Sequence, residues 1–125
     1  MEKLKADYLV IGAGAVILAF GDAMMTESSS TFLIVDRRQM PGGHRNDAYP
    51  FVRLHQPSAR YGVASRPLGA DHIDTHGSNK GFFELASGVE VLTYFEQLMR
   101  EQFLPSGRVK YFPMCDHLGE GRFRS

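Results

Sequence analysis

The sequence has little cysteine, no imbalance of charge and no long apolar run. Cys115 is the single cysteine in 125 residues. It excludes an intrachain disulfide and fits a reducing cytoplasm, the location expected. Lysine plus arginine number 14 and aspartate plus glutamate number 14. That balance excludes a broad electrostatic pull toward nucleic acid or an acidic membrane, and neither is expected as a partner. The apolar run from Tyr8 to Phe20 is shorter than the roughly 20 residues that span a bilayer. Lys3 and Lys5 before it loosely imitate a signal peptide. Asp7 at its start, and no convincing small-x-small cleavage site after it, favour a strand, turn and helix instead.

Several catalytic signatures are missing as well. There is no G-x-x-x-x-G-K-[ST] phosphate loop and no G-x-S-x-G nucleophile turn, and no tyrosine is followed four positions later by lysine. Cys115-Asp116-His117 offers nucleophile-type side chains, but adjacency in sequence is not the spatial arrangement catalysis needs. Cys115 is read as an interior cysteine. Asp71-His72-Ile73-Asp74-Thr75-His76 sets ligand-type side chains at alternate positions. A bound metal needs three or four converging ligands, and no second cluster accompanies this one, so it is read as a polar loop.

What remains is ample for one domain. Hydrophobic residues make up 43% of the chain, enough for a core at this length. Ala6 to Ile11 reads as a buried strand. Gly14 onward reads as a helix that Ser28-Ser29-Ser30 breaks. Thr31 to Val35, TFLIV, reads as a second buried strand ending at Asp36. These form a βαβ unit over residues 6–36. Residues 37–86 read as a long loop with short pieces of structure; four of six prolines and four of five histidines lie within it. Ser87-Gly88-Val89-Glu90 fits a capping box. Val91, Leu92, Phe95, Leu98, Met99 and Phe103 then recur at helical spacing until Pro105-Ser106-Gly107. Val109 to Phe112 reads as a third strand, so a helix and strand occupy 87–113. The order implies parallel strands with helical crossovers, an α/β fold of Rossmann-like type.

The strand-to-helix turn carries the chemistry. Gly12-Ala13-Gly14 begins the pattern in which one glycine permits the turn, a second lets backbone approach a pyrophosphate, and a third lets helix pack closely on strand. Ile17 stands where the third glycine belongs. Phosphate binding draws on backbone N–H groups and the helix N-terminus, so Ile17 threatens packing before binding. Overpacking of that kind costs about 1–3 kcal/mol. Asp36 follows Gly12 by 24 residues, where an acid accepts hydrogen bonds from a ribose. Its charge disfavours a 2′-phosphate, while Arg37 and Arg38 beside it partly offset that.

Read whole, the sequence resembles the two-dinucleotide-domain flavoproteins, near the flavin-containing monooxygenase-like oxidoreductases. DYLVIGAG (Asp7 to Gly14), FLIVDRR (Phe32 to Arg38), PGGH (Pro41 to His44), YPFVRLHQPS (Tyr49 to Ser58) and YGVASRPLG (Tyr61 to Gly69) carry the resemblance. It implies FAD as cofactor, with NAD(P)H as reductant in the intact family. The backbone of Gly12, Ala13, Gly14, Ala15 and Val16 would hold the pyrophosphate. Asp36, with Arg37 beside it, would hold the adenosine ribose. Gly43, His44 and Arg45 would approach the flavin end, and Leu54 and Gln56 would lie near the isoalloxazine. Arg45 stands where family members often carry tryptophan. The resemblance covers roughly the first quarter of the family pattern and includes no second glycine-rich turn. It therefore implies an FAD-binding half-domain, a fragment or degenerate copy that is inactive alone and assigns no catalytic residue. The alternative is a remnant that binds no nucleotide and persists as an interaction piece. Apolar surface left uncovered would promote self-association.

Overall fold

In a computed structural model of the chain, residues 2–47, 53–54, 58, 61–70 and 72–125 are described. Three strands form a parallel sheet in the order β1-β2-β5: β1 is Tyr8–Ile11, β2 is Phe32–Val35 and β5 is Val109–Phe112. The register is regular, with Val10 beside Ile34 and Ile34 beside Tyr111. Helix α1, Ala15–Glu27, crosses from β1 to β2. Helix α2, Gly88–Leu98, lies within the crossover from β2 to β5 and continues through a wider π turn, Met99–Phe103, and a 3₁₀ turn, Leu104–Ser106. The strands step in one direction across the sheet. Right-handed crossovers then set both helices on the same face.

That face holds the core. Val10, Phe32, Ile34 and Val109 meet Leu18 of α1 and Val91, Tyr94, Phe95 and Leu98 of α2, with Met99 and Phe103 beyond. All four residues of β2 are buried, as the unbroken apolar run of a central parallel strand requires. The capping box read from Ser87 and Glu90 forms in both directions. The opposite sheet face carries Leu9, Leu33 and Phe112. It is flanked by a hairpin that the sequence pattern does not announce, β6 (Asp116–Gly119) and β7 (Arg122–Arg124), where Phe123 packs on Phe112 at 5.1 Å. Between sheet and hairpin lies a cavity of about 790 Å³ lined by these apolar residues together with Glu2, Lys3 and Arg122.

Ile17 does not displace α1. It is half-buried at the edge of the core, and the helix runs unbroken past it. Close packing falls one turn later, at Gly21, where an added Cβ would lie 3.1 Å from the Phe103 ring. That close contact is between α1 and the π turn after α2, not between helix and strand. A small hairpin, β3 (Gly62–Val63) with β4 (Arg66–Pro67), braces α1 from the long connection. The carboxylate of the buried Asp22 accepts hydrogen bonds from the Ser65 N–H and hydroxyl. Tyr94 ties the hairpin to α2, accepting from the Val63 N–H at 2.7 Å and donating to the Arg66 carbonyl.

Arg108, just before β5, secures the far end of α1. Its guanidinium donates to the carbonyls of Met24, Met25, Ser28 and Ser30 at 2.6–3.4 Å. Met24 and Met25 lie in the last turn of α1, at the negative end of its dipole, and a cation there is favourable. Among the described residues no helix is long and apolar enough to cross a membrane.

Candidate functional site

The site lies at the carboxyl ends of the parallel strands, where open α/β sheets bind ligands. Gly12 leaves β1 with φ of +103° and donates to the Val35 carbonyl at 2.7 Å. Few residues other than glycine adopt that backbone. Gly14 is the N-cap of α1 with φ of −82°, which any residue can adopt, and it has no side chain to cap the helix. The first helical turn carries no acidic residue either. The leading N–H groups of α1 and the positive end of its dipole thus face outward without a protein partner among the described residues. Such an end attracts an anion.

The Pro41-Gly42-Gly43-His44 segment is laid directly over this turn. Gly42 donates to the Ala13 carbonyl at 2.8 Å. A Cβ on Gly43, at φ +58°, would lie 3.1 Å from the Gly14 Cα, and one on Gly42 would strike the Leu92 side chain of α2. Both glycines are therefore demanded by contact: one by the turn, one by the helix behind it. His44 is exposed. Arg45 lies with its guanidinium carbon 5.7 Å from the centre of the Tyr61 ring, within cation–π range, and its buried Nε has no partner among the described residues. A cation–π contact thus occupies the place where the resemblance implied an aromatic one.

Asp36 is buried at the end of β2. One carboxylate oxygen accepts from the Ala13 N–H at 3.1 Å, the other from the Arg38 N–H at 3.1 Å. Its own N–H donates to the Phe112 carbonyl, and its carbonyl accepts from the Cys115 N–H. The acid therefore joins the turn, the sheet and the segment after β5. Each carboxylate oxygen has more than one lone pair, so an additional hydroxyl donor can share it. Arg38 is turned away into an ion pair with Asp47 at 2.8 Å, which raises its already high pKa. Arg37 is exposed and stays at the site.

A second cavity, of about 220 Å³, opens beside the turn and is lined by Ile11, Gly12, Val35, Arg37, Cys115, Asp116 and His117. It is smaller than the roughly 300–1,000 Å³ of a complete small-molecule site. The larger cavity lies under the sheet, away from the helix N-terminus. Cys115 is buried, as expected from the sequence, yet it borders the cavity. Sequence reasoning set Cys115-Asp116-His117 aside. The available signal was position, because these residues directly follow a parallel strand.

The structure therefore brings together Gly12, Ala13, Gly14, Ala15, Val16, Asp36, Arg37 and Gly43. Leu54 is elsewhere occupied: its side chain is buried in the core and its N–H donates to the Ala86 carbonyl. Gln56 lies outside the described residues.

Comparisons with known proteins agree with this architecture. No protein-family profile matches the sequence. The chain is 55% identical over 124 residues to uncharacterized proteins of Mycobacterium tuberculosis and Mycobacterium bovis. It spans 23% of the length of these curated relatives, about a quarter. Its fold is similar to that of a flavin-containing monooxygenase from Stenotrophomonas maltophilia, and of a double mutant of a flavin monooxygenase from that organism. Both give a TM-score of 0.65 at 23% identity, over 95% of this chain and 32% of theirs. The chain shares its α/β fold with these flavin monooxygenases.

Proposed function

We propose that this chain is the FAD-binding part of an NAD(P)H-dependent flavoprotein oxidoreductase of monooxygenase-like type. The observation that carries the reading is the uncapped N-terminus of α1. It sits at the carboxyl edge of a parallel sheet, on a turn whose Gly12 conformation requires glycine, with a buried acid at the end of the next strand. These residues fit a dinucleotide. Backbone N–H groups from Gly14 to Val16 would meet the pyrophosphate, and Asp36 would accept from the adenosine ribose. Arg37 and the small cavity flank the adenosine side, and Gly43, His44 and Arg45 lead toward the flavin side. When bound, the flavin supplies the redox chemistry, and the protein's part is to bind and orient it. No catalytic residue is assigned within this chain.

A second reading has its own support. Both oxygens of Asp36 already accept backbone N–H groups, so the acid serves the fold without any ligand. On that reading the chain is a binding-silent remnant or interaction module, with weak affinity for an adenine nucleotide at most. Titration with FAD, followed by flavin fluorescence and thermal melting, separates the two. Saturable binding that raises Tm, and that ADP competes away, supports the FAD reading. A folded, monomeric chain that binds neither FAD nor ADP refutes it.

A further inference from the structure

The segment expected from sequence to be a polar loop carries a second cluster of chemistry, far along the chain from the glycine turn. His72 and Asp74 are two residues apart in extended backbone, so their side chains share one face. Glu84 arrives from the returning strand. An antiparallel ladder holds the two segments in register: Ile73 bridges Phe83, Glu84 donates to the His72 carbonyl at 3.0 Å, and Asp74 donates to the Phe82 carbonyl at 2.8 Å. The missing third ligand is thus supplied ten residues beyond Asp74, across a turn closed by the Gly81 N–H on the Asp74 carbonyl.

We propose that His72, Asp74 and Glu84 form a metal site that takes one Zn2+ ion. One ligand atom from each of the three lies within 4.8 Å of the others, and they form the one such group among the described residues. The carboxylates are oriented from behind. Glu84 Oε1 accepts from the Ser58 hydroxyl at 2.7 Å and from the Ala70 N–H, which leaves Oε2 facing Nδ1 of the imidazole at 3.3 Å. Asp74 Oδ2 accepts from the Asn79 amide at 3.0 Å, which leaves Oδ1 facing the other ring nitrogen, Nε2, at 3.4 Å. Hydrogen bonds to the outer oxygens are how carboxylate ligands are fixed at metal sites.

The two carboxylates face different ring nitrogens of His72, and neither is held by a short charge-assisted hydrogen bond. Charge-assisted N–H···O bonds run about 2.7–2.9 Å, and both imidazole–carboxylate distances are longer. A tetrahedral Zn2+ with ligand bonds of about 2.0–2.2 Å sets its ligand atoms about 3.4 Å apart. One ion can take only one of the two ring nitrogens, so closing the cluster to that size requires the His72 ring, whose side chain is 54% exposed, to turn, while Glu84 stays anchored at 19%. One imidazole with two carboxylates suits a borderline ion better than Mg2+ or Ca2+, which favour all-oxygen sets. Solvent on the exposed side supplies the fourth ligand as water.

The test is a calorimetric titration of the chelator-treated full chain with Zn2+ alone, with a parallel melt. One ion per chain, and a Tm that rises with Zn2+, are expected. Asp74→Asn and Glu84→Gln keep side-chain shape and should each weaken binding by at least about tenfold. His76→Gln should leave affinity unchanged, because its ring is engaged with the Thr75 hydroxyl at 2.9 Å. Circular dichroism checks each variant. Should Glu84→Gln unfold by losing its hold on Ser58, the more exposed Asp74→Asn decides the matter. Absence of saturable binding would overturn the proposal. So would binding that survives Asp74→Asn, or that falls equally in His76→Gln.

Discussion

Gly14 and Gly43 touch each other across the site, yet their substitution should have opposite consequences. Alanine at Gly43 must adopt φ near +58°, at a cost of about 1–2 kcal/mol for an L-residue. Its Cβ would also sit 3.1 Å from the Gly14 Cα. Backbone cannot swing aside as a side chain does, so the overpacking adds about 1–3 kcal/mol. Together these remove about 2–5 kcal/mol from a stability of order 5–15 kcal/mol. For a domain of this size that lowers Tm by roughly 10 °C or more. Alanine at Gly14 meets no such obstacle. Its φ of −82° is ordinary, and its Cβ would lie 3.7 Å from the Gly43 Cα, a normal contact. Only the poorer N-cap remains, at roughly 0.5–1 kcal/mol. That Cβ would stand where a pyrophosphate must approach backbone, so FAD affinity should fall by about tenfold or more while the fold persists. Thermal denaturation of both variants, with a flavin fluorescence titration of Gly14→Ala, gives the comparison. A Gly43→Ala chain that melts like wild type would refute the contact argument. A Gly14→Ala chain that binds FAD normally would refute the phosphate assignment.

Two further expectations follow from polar groups away from the turn. Arg108→Ala removes the guanidinium that donates to four carbonyls at and just beyond the end of α1 and should cost about 2–3 kcal/mol in chemical denaturation; a loss below about 0.5 kcal/mol would show that water replaces it freely. Tyr111 has a buried hydroxyl without a partner among the described residues, so Tyr111→Phe should leave stability unchanged or raise it by about 1 kcal/mol; a clear loss would reveal an unseen hydrogen bond. Burial pushes the Tyr111 pKa up to about 12, with the Asp36 charge adding to the effect. The folded state therefore holds this proton more tightly than the unfolded chain. Its contribution is complete below about pH 10 and is lost as pH rises to about 12. Burial raises Tyr94 in the same direction, so Tyr111→Phe should flatten the alkaline slope of stability without abolishing it.

Local chemistry made much of this protein readable from its sequence. TFLIV had to be a buried strand because an unbroken run of β-branched and apolar residues needs cover on both faces. Gly12 had to be a turn, and Ser87 with Glu90 had to start a helix, because each depends on residues within a few positions. The order of elements, with the handedness of crossovers, then determined a parallel α/β sheet. The β6–β7 hairpin was not legible, because its glycine-rich turn carries no strong apolar alternation. Tertiary structure decided the rest. Ile17 looked like an obstacle in the motif, but the helix meets its neighbours one turn later, at Gly21 against Phe103. Gly43 gained its meaning only from Gly14, 29 residues earlier in the sequence. The Leu54 side chain took its place in the core. His72 and Asp74 acquired Glu84 only when the chain folded back on itself. In each case the deciding contact joins residues distant along the chain, and only packing brings such residues to within a bond's reach.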